Sequence, residues 1–313
     1  MIAKLTVPRR LSYTDSIVQT PEESGSAAAL IPAREEPRFS PYHPHLLQPF
    51  IDPDDPPWGV GTGFLVWFAS LVLLFAVQLA FIIPYAALRG AAALKEPSAI
   101  FVATLSTLPA HLLTVLLVWA VVTRFGKRPF WEHLGWSWSG YFRLWPSIGL
   151  GIVLLVASIT VAHFLGGDKT TPLEELIDSS AATRYLIAFL ATFSAPFVEE
   201  FVFRGVLYSA LQRAIGGVGA VAIVVILFTV VHVPQYWTNL GVIAAVALLS
   251  LGLTVIRALS GRLLPCFIVH LVFNGIQSVM IILSPSPVTK PIITPDHAAG
   301  LILTMLRSLH SVI

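Results

Sequence analysis

Between residues 58 and 283 the chain is a succession of long apolar runs, separated by short segments that collect charge, proline, glycine and tryptophan. A helix needs about 20 predominantly apolar residues to cross a hydrocarbon core, and several runs exceed that. Residues 64–83 hold one amide, Gln78, and no charge, with Trp58 placed ahead of them as an interfacial anchor. Residues 97–123 are charge-free and contain Pro109 and His111, which a membrane helix accommodates when its neighbours satisfy the freed backbone. Residues 146–166 give a third span. A fourth runs from about Tyr185 to Leu211, through a charged cluster around Glu199. No acid, lysine or arginine lies between Arg213 and Arg257, and that stretch is too long for one helix; a break at residues 234–239 divides it into spans five and six. Residues 263–283 form the seventh. Residues 298–306, bounded by Asp296 and Arg307, are short for a crossing and leave a short eighth helix open. The pattern predicts an all-α fold, a polytopic membrane helix bundle with seven transmembrane helices.

Residues 1–57 break this pattern, being rich in proline and charge without a sustained apolar run. A segment that cannot bury apolar area cannot offset its ordering entropy. The chain therefore reads as a disordered proline-rich tail, 1–57, followed by a transmembrane domain, 58–313. His43 and His45, isolated among the tail's prolines, read as solvated. The apolar run at Met1 is too short for the core of a signal peptide, which leaves the first span as its own insertion signal. After span two, Arg124, Lys127, Arg128 and Arg143 mix with Trp131, Trp136, Trp138 and Trp145. That is the composition of a headgroup layer, so this loop is expected to lie flat on the membrane.

Composition agrees with a membrane protein. The chain is 56% hydrophobic and 12% charged, against about 25% charged in soluble domains, which argues against a soluble enzyme. A formal net charge of +2 gives no surface for nucleic acid. The single cysteine, Cys266, excludes an intrachain disulfide, an iron–sulfur cluster and a multi-cysteine zinc site. With the N-terminus inside, Arg124, Lys127, Arg128, Arg143, Arg213, Arg257 and Arg262 face the cytoplasm, and Arg89, Lys95, Lys169, Arg184 and Lys290 face away. The excess of inside cations favours a multi-pass protein of the cell membrane with a cytoplasmic N-terminus.

An ionisable side chain within a span is costly to bury unless paired or wetted, and it marks a functional hypothesis. Span four reads Pro196-Phe197-Val198-Glu199-Glu200-Phe201-Val202-Phe203-Arg204-Gly205. Glu200 and Arg204 stand four apart on one helix face and can form an ion pair. Glu199 is turned about 100° from Glu200, free of a partner on its own helix and suited to take and return a proton. Span five offers Phe228 and His232. Span seven offers His270 and Asn274, four apart and so on one face. Glu199, His232, His270 and Asn274 thus supply a base, two imidazoles and an amide donor from three helices. Such a set can activate water and stabilise a tetrahedral oxyanion, the two tasks of peptide hydrolysis. Cys266 reads as a packing residue, and His111 and His163 as structural.

At these residues the sequence resembles the CAAX protease and bacteriocin-processing family of intramembrane proteases, the CPBP or Abi family, which includes the type II CAAX prenyl endopeptidases. The family signature is Glu-Glu-x-x-x-Arg, then Phe-x-x-x-His, then His-x-x-x-Asn or Asp. All three occur here in order: Glu199 to Arg204, Phe228 to His232, and His270 to Asn274. The match covers roughly residues 180–280. The resemblance implies that Glu199, helped by His232, activates water, that His270 and Asn274 bind the oxyanion, and that Glu200 and Arg204 support them. It implies a membrane-associated protein or peptide as substrate, prenylated or not, within the lipid bilayer. There is no His-Glu-x-x-His helix, and whether a divalent metal such as zinc joins Glu199, His232 and His270 stays open. Two other classes also stay open: a proton-coupled carrier using the same ionisable groups as a relay, and a non-catalytic scaffold or immunity-type protein retaining the motifs.

Overall fold

The computed structural model describes residues 51–166 and 169–284. All regular structure among the described residues is helical, and seven helices are long and apolar enough to cross a membrane. They are α1 Val60–Arg89, α2 Pro97–Thr123, α3 Leu144–Gly166, α4 Ala181–Ile215, α5 Gly217–Tyr236, α6 Leu240–Ser260 and α7 Leu264–Leu283. The chain is an integral multi-pass membrane protein. The short helix considered for residues 298–306 lies outside the described residues, as does the tail through residue 50.

Helix ends follow local chemistry more than charge. α1 is longer than its charge-free core because neither Pro84 nor the alanines beyond it stop the winding. Gly90 does, at a φ of 86° that side chains rarely adopt. α2 breaks at Ser106 into Pro97–Leu105 and Thr107–Thr123. Pro109 has no N–H for the Leu105 carbonyl and its ring crowds that group, which accounts for the break one residue on.

The buried apolar residues form two clusters. One joins α1, α2, α4 and α5 through Val66, Val118, Phe201, Leu207, Val224 and Phe228. The other joins α3, α6 and α7 through Leu155, Leu249, Leu253, Val269 and Phe273. Close helix approach inside a bilayer depends on small residues: a Cβ on Gly241 of α6 would meet the Ala162 carbonyl of α3 at 2.6 Å. Outward faces carry large apolar side chains such as Leu65, Phe68, Leu112, Val153 and Val156, the surface a bilayer covers.

α4 is central, with every residue from Glu200 to Leu211 buried. It is not a uniform α-helix. Two wide π-wound stretches, Leu190–Ser194 and Glu200–Leu207, bracket the short α-helical piece Ala195–Glu199. Pro196 lacks the N–H that would bond the Thr192 carbonyl, and the first wide stretch lies there. In the second, a Cβ on Gly205 would meet Leu134 at 2.8 Å, so the glycine admits the loop that follows α2.

That loop differs from the expectation that it lies flat. Its short helix Phe130–Leu134 buries Leu134, and Trp136 enters the bundle to meet the rings of Phe197, Phe201 and Phe267 at 5.7, 5.4 and 5.2 Å. Phe125 and Trp131 before Trp136, and Trp138, Tyr141 and Trp145 after it, stay exposed. Residues 51–57, which composition assigns to the tail, are packed on the helices instead. Pro53 and Pro56 are buried, and Asp54 pairs with Arg257, a partner too distant in sequence for composition to reveal.

Candidate active site

The wide turn after Glu199 sets how two adjacent carboxylates face. Glu200 is fully buried. Its Oε1 accepts from Arg204 Nη1 at 3.3 Å and from His270 Nδ1 at 2.8 Å. Its Oε2 is buried without a hydrogen-bond partner among the described residues. Every guanidinium nitrogen of Arg204 is engaged: Nε donates to Thr254 Oγ1 at 3.3 Å, and Nη2 donates to Ser250 Oγ at 2.9 Å and to the Ser250 carbonyl at 3.3 Å. Ser250 and Thr254 lie four apart on α6 and so present one polar face to α4. The guanidinium also lies 4.5 Å from the centre of the Phe228 ring, an attraction that strengthens when water is excluded.

Glu199 meets looser surroundings. Its Oε1 is 3.7 Å from His232 Nε2 and its Oε2 is 3.7 Å from His270 Nε2, both beyond hydrogen-bond reach. Its side chain keeps 22% of its exposure. The tautomers follow from the partners. His232 Nδ1 lies 2.7 Å from the Phe228 carbonyl, which only accepts, so Nδ1 carries the hydrogen. His270 Nδ1 likewise donates to Glu200. Both rings therefore turn Nε2 toward Glu199. Phe228 fixes one of them further, stacking on His232 with centroids 4.4 Å apart and an interplanar angle of 28°.

Direct contacts thus unite Glu199, Glu200, Arg204, Phe228, His232 and His270. Asn274 is joined less closely: its Nδ2 donates to the Ala191 carbonyl on the first wide turn at 2.9 Å. Of the residues read as structural, His111 reaches the site. Its Nδ1 is hydrogen-bonded to Ser194 Oγ at 2.6 Å, and its ring interacts electrostatically with Glu199. Tyr236, one turn after His232, also interacts electrostatically with Glu199. The sequence signal for His111 was an ionisable group inside a span; for Tyr236 it was only its spacing of four from His232. Cys266 is buried against the carbonyls of Leu253 and Arg262, as a packing residue is. Among the described residues no three of His, Cys, Asp and Glu are arranged to hold a metal ion.

Residues 181–276 match the family described as Type II CAAX prenyl endopeptidase Rce1-like. The match starts at the first residue of α4 and ends two residues beyond Asn274. The membrane-embedded CAAX protease MroQ of Staphylococcus aureus (strain USA300) is 26% identical over 164 residues, covering 48% of this chain and 62% of the relative. The chain thus spans less than two thirds of the length of that relative. No solved structure matches. The likeness carried by the three motifs is therefore found again by these comparisons, over residues 181–276 for the family and over 164 residues for the relative.

Proposed function

We propose that the protein is an intramembrane endopeptidase of the CAAX-processing kind, which hydrolyses a peptide bond in a membrane-associated protein or peptide. The observation that carries this reading is the Glu199 carboxylate, partly open and flanked by two imidazole Nε2 atoms at 3.7 Å. A water set off the line between Glu199 and His232 reaches both, as polar groups just beyond contact distance commonly share one. Glu199 takes its proton as the hydroxyl oxygen attacks the scissile carbonyl carbon. His270 lies between two carboxylates and, when protonated, donates Nδ1–H to Glu200 and presents Nε2–H to the developing oxyanion. The remaining N–H of Asn274 is the second donor to that oxyanion. Collapse of the tetrahedral species breaks the C–N bond, and the proton held by Glu199 passes to the leaving amine.

Supporting the choice of substrate are the family match and the CAAX protease activity for which the S. aureus relative is named. The end of the bundle that holds residues 51–57 also gathers Arg213, Arg257 and the Gly135 to Leu263 contact. We place that end in the cytoplasm because it carries the larger share of lysine and arginine. The test is reconstitution in liposomes with a prenylated CAAX peptide and its unprenylated counterpart, following cleavage and proton flux in one preparation. Cleavage without flux is expected, unchanged by o-phenanthroline. Flux without cleavage would favour a carrier, and neither would favour a binding protein.

A further inference from the structure

Residues 51–58 carry no catalytic motif, yet they are bound to the second wide turn of α4. Pro53, Pro56 and Trp58 are buried. Arg257 of α6 is fully buried between this segment and α4, and all three of its guanidinium nitrogens are used. Nη1 donates to Asp54 Oδ1 at 2.6 Å, Nη2 to the Pro53 carbonyl at 3.2 Å, and Nε to the Arg204 carbonyl at 3.3 Å. The indole N–H of Trp58 donates to the Val206 carbonyl at 3.0 Å. Arg204 and Val206 both belong to the π-wound stretch Glu200–Leu207. Wide winding turns carbonyls away from the regular ladder and is found mostly as isolated turns at functional sites; here two of those carbonyls find donors outside the helix. Closing the end of the bundle needs only apolar contact, which the prolines and Trp58 supply. A buried arginine is costly unless its geometry is well satisfied, and this one joins two elements at fixed bearings.

We propose that residues 53–58 and Arg257 form a clamp that sets the winding of α4 just beyond Glu199, which makes Asp54 and Arg257 positioning residues for the cleavage reaction. The clamp acts through bonds already in place. Arg257 holds the backbone of Arg204, whose side chain holds Glu200 at 3.3 Å; Glu200 holds His270 at 2.8 Å, and His270 faces Glu199. Regular α winding over Glu200–Leu207 changes the bearing of Arg204 relative to Glu199, since each residue advances by about 100°. The orientation of His270 follows. This inference rests on the proposed hydrolysis at Glu199, so its test reads the winding of α4 separately from activity.

The experiment uses the full chain in liposomes, comparing wild type with Asp54→Ala, Asp54→Asn and Asp54→Glu. It measures kcat and KM on the CAAX peptide per folded molecule, and amide hydrogen exchange helix by helix. Asp54→Ala is expected to lower kcat about tenfold or more, roughly 1.4 kcal/mol of barrier, with KM within about twofold. Amides of residues 200–207 exchange faster while those of α1 and α3 do not change. Asp54→Glu restores both, and Asp54→Asn, which keeps an acceptor for Arg257 but loses the charge, lies between. If Asp54→Ala does not fold, the asparagine variant carries the same comparison. Unchanged exchange at residues 200–207 overturns the clamp whether or not the protein cleaves anything. Faster exchange there with wild-type kcat overturns the positioning role, and uniform loosening of all helices reduces the segment to a closure of the bundle. Failure of the wild type to cleave any peptide refutes the hydrolysis reading and leaves the exchange result to decide the clamp.

Discussion

Two faces of α4, presented by adjacent residues, treat a carboxylate in opposite ways. On the face toward α6, Glu200 is fully buried and its Oε1 is bonded to Arg204 and His270 at 3.3 and 2.8 Å. On the face toward α5 and α7, Glu199 is partly exposed and no imidazole comes nearer than 3.7 Å. The residues differ by one position, and their surroundings differ because α6 offers Ser250 and Thr254 to complete the bonding of Arg204, while α5 and α7 offer ring nitrogens. Burying a charge is costly unless it is paired and hydrogen-bonded, so the first face holds structure. A carboxylate with room beside it can take a water and a proton, so in the proposed reaction the second holds the chemistry. His270 belongs to both, one nitrogen on each.

The largest expected effect falls on the buried face. Arg204→Ala removes the partner of Glu200 and leaves an uncompensated charge, a loss of about 3–5 kcal/mol; thermal unfolding in detergent should show a lower Tm, with little folded protein left to assay. A Tm equal to wild type would mean that the two faces do not differ. Asn274→Ala comes next. It removes the bond to Ala191, worth about 1 kcal/mol, and the second oxyanion donor of the proposed reaction, worth about 10²–10³ in kcat where such donors have been removed singly. Loss of stability with kcat unchanged would confine Asn274 to holding the first wide turn. Cys266→Ser should change least. A serine hydroxyl can donate to the carbonyls of Leu253 and Arg262 as the thiol does, so the Tm should shift slightly and cleavage should proceed at the wild-type rate. A folded but inactive serine variant would move the chemistry to a thiol.

Much of this comparison was legible in the sequence. Seven spans follow from apolar length, and the Glu200–Arg204 pair from a spacing of four, because both rest on helical periodicity alone. The separation of Glu199 from Glu200 followed in the same way. What periodicity could not supply was the departure from it: the π-wound stretches on either side of Ala195–Glu199 have no sequence mark beyond Pro196. His111 was missed because its partner, Ser194, is on another helix. The tail boundary at residue 57 fell too late for the same reason, since Asp54 is held by Arg257 far along the chain. Trp136 was read with its neighbours as a headgroup residue, and only the packing of Phe197, Phe201 and Phe267 draws it inside.

The division between the two faces is tested most directly by Glu199→Gln, assayed in liposomes for cleavage of the CAAX peptide and by thermal unfolding of the same preparation. Glutamine keeps the size and hydrogen-bonding reach of glutamate but cannot act as a base. Cleavage should fall by about 10²–10⁴-fold, the usual contribution of a positioned general base, while the Tm changes little because Glu199 makes no hydrogen bond among the described residues and meets the two imidazoles only at 3.7 Å. A Glu199→Gln protein that cleaves at the wild-type rate would contradict the account.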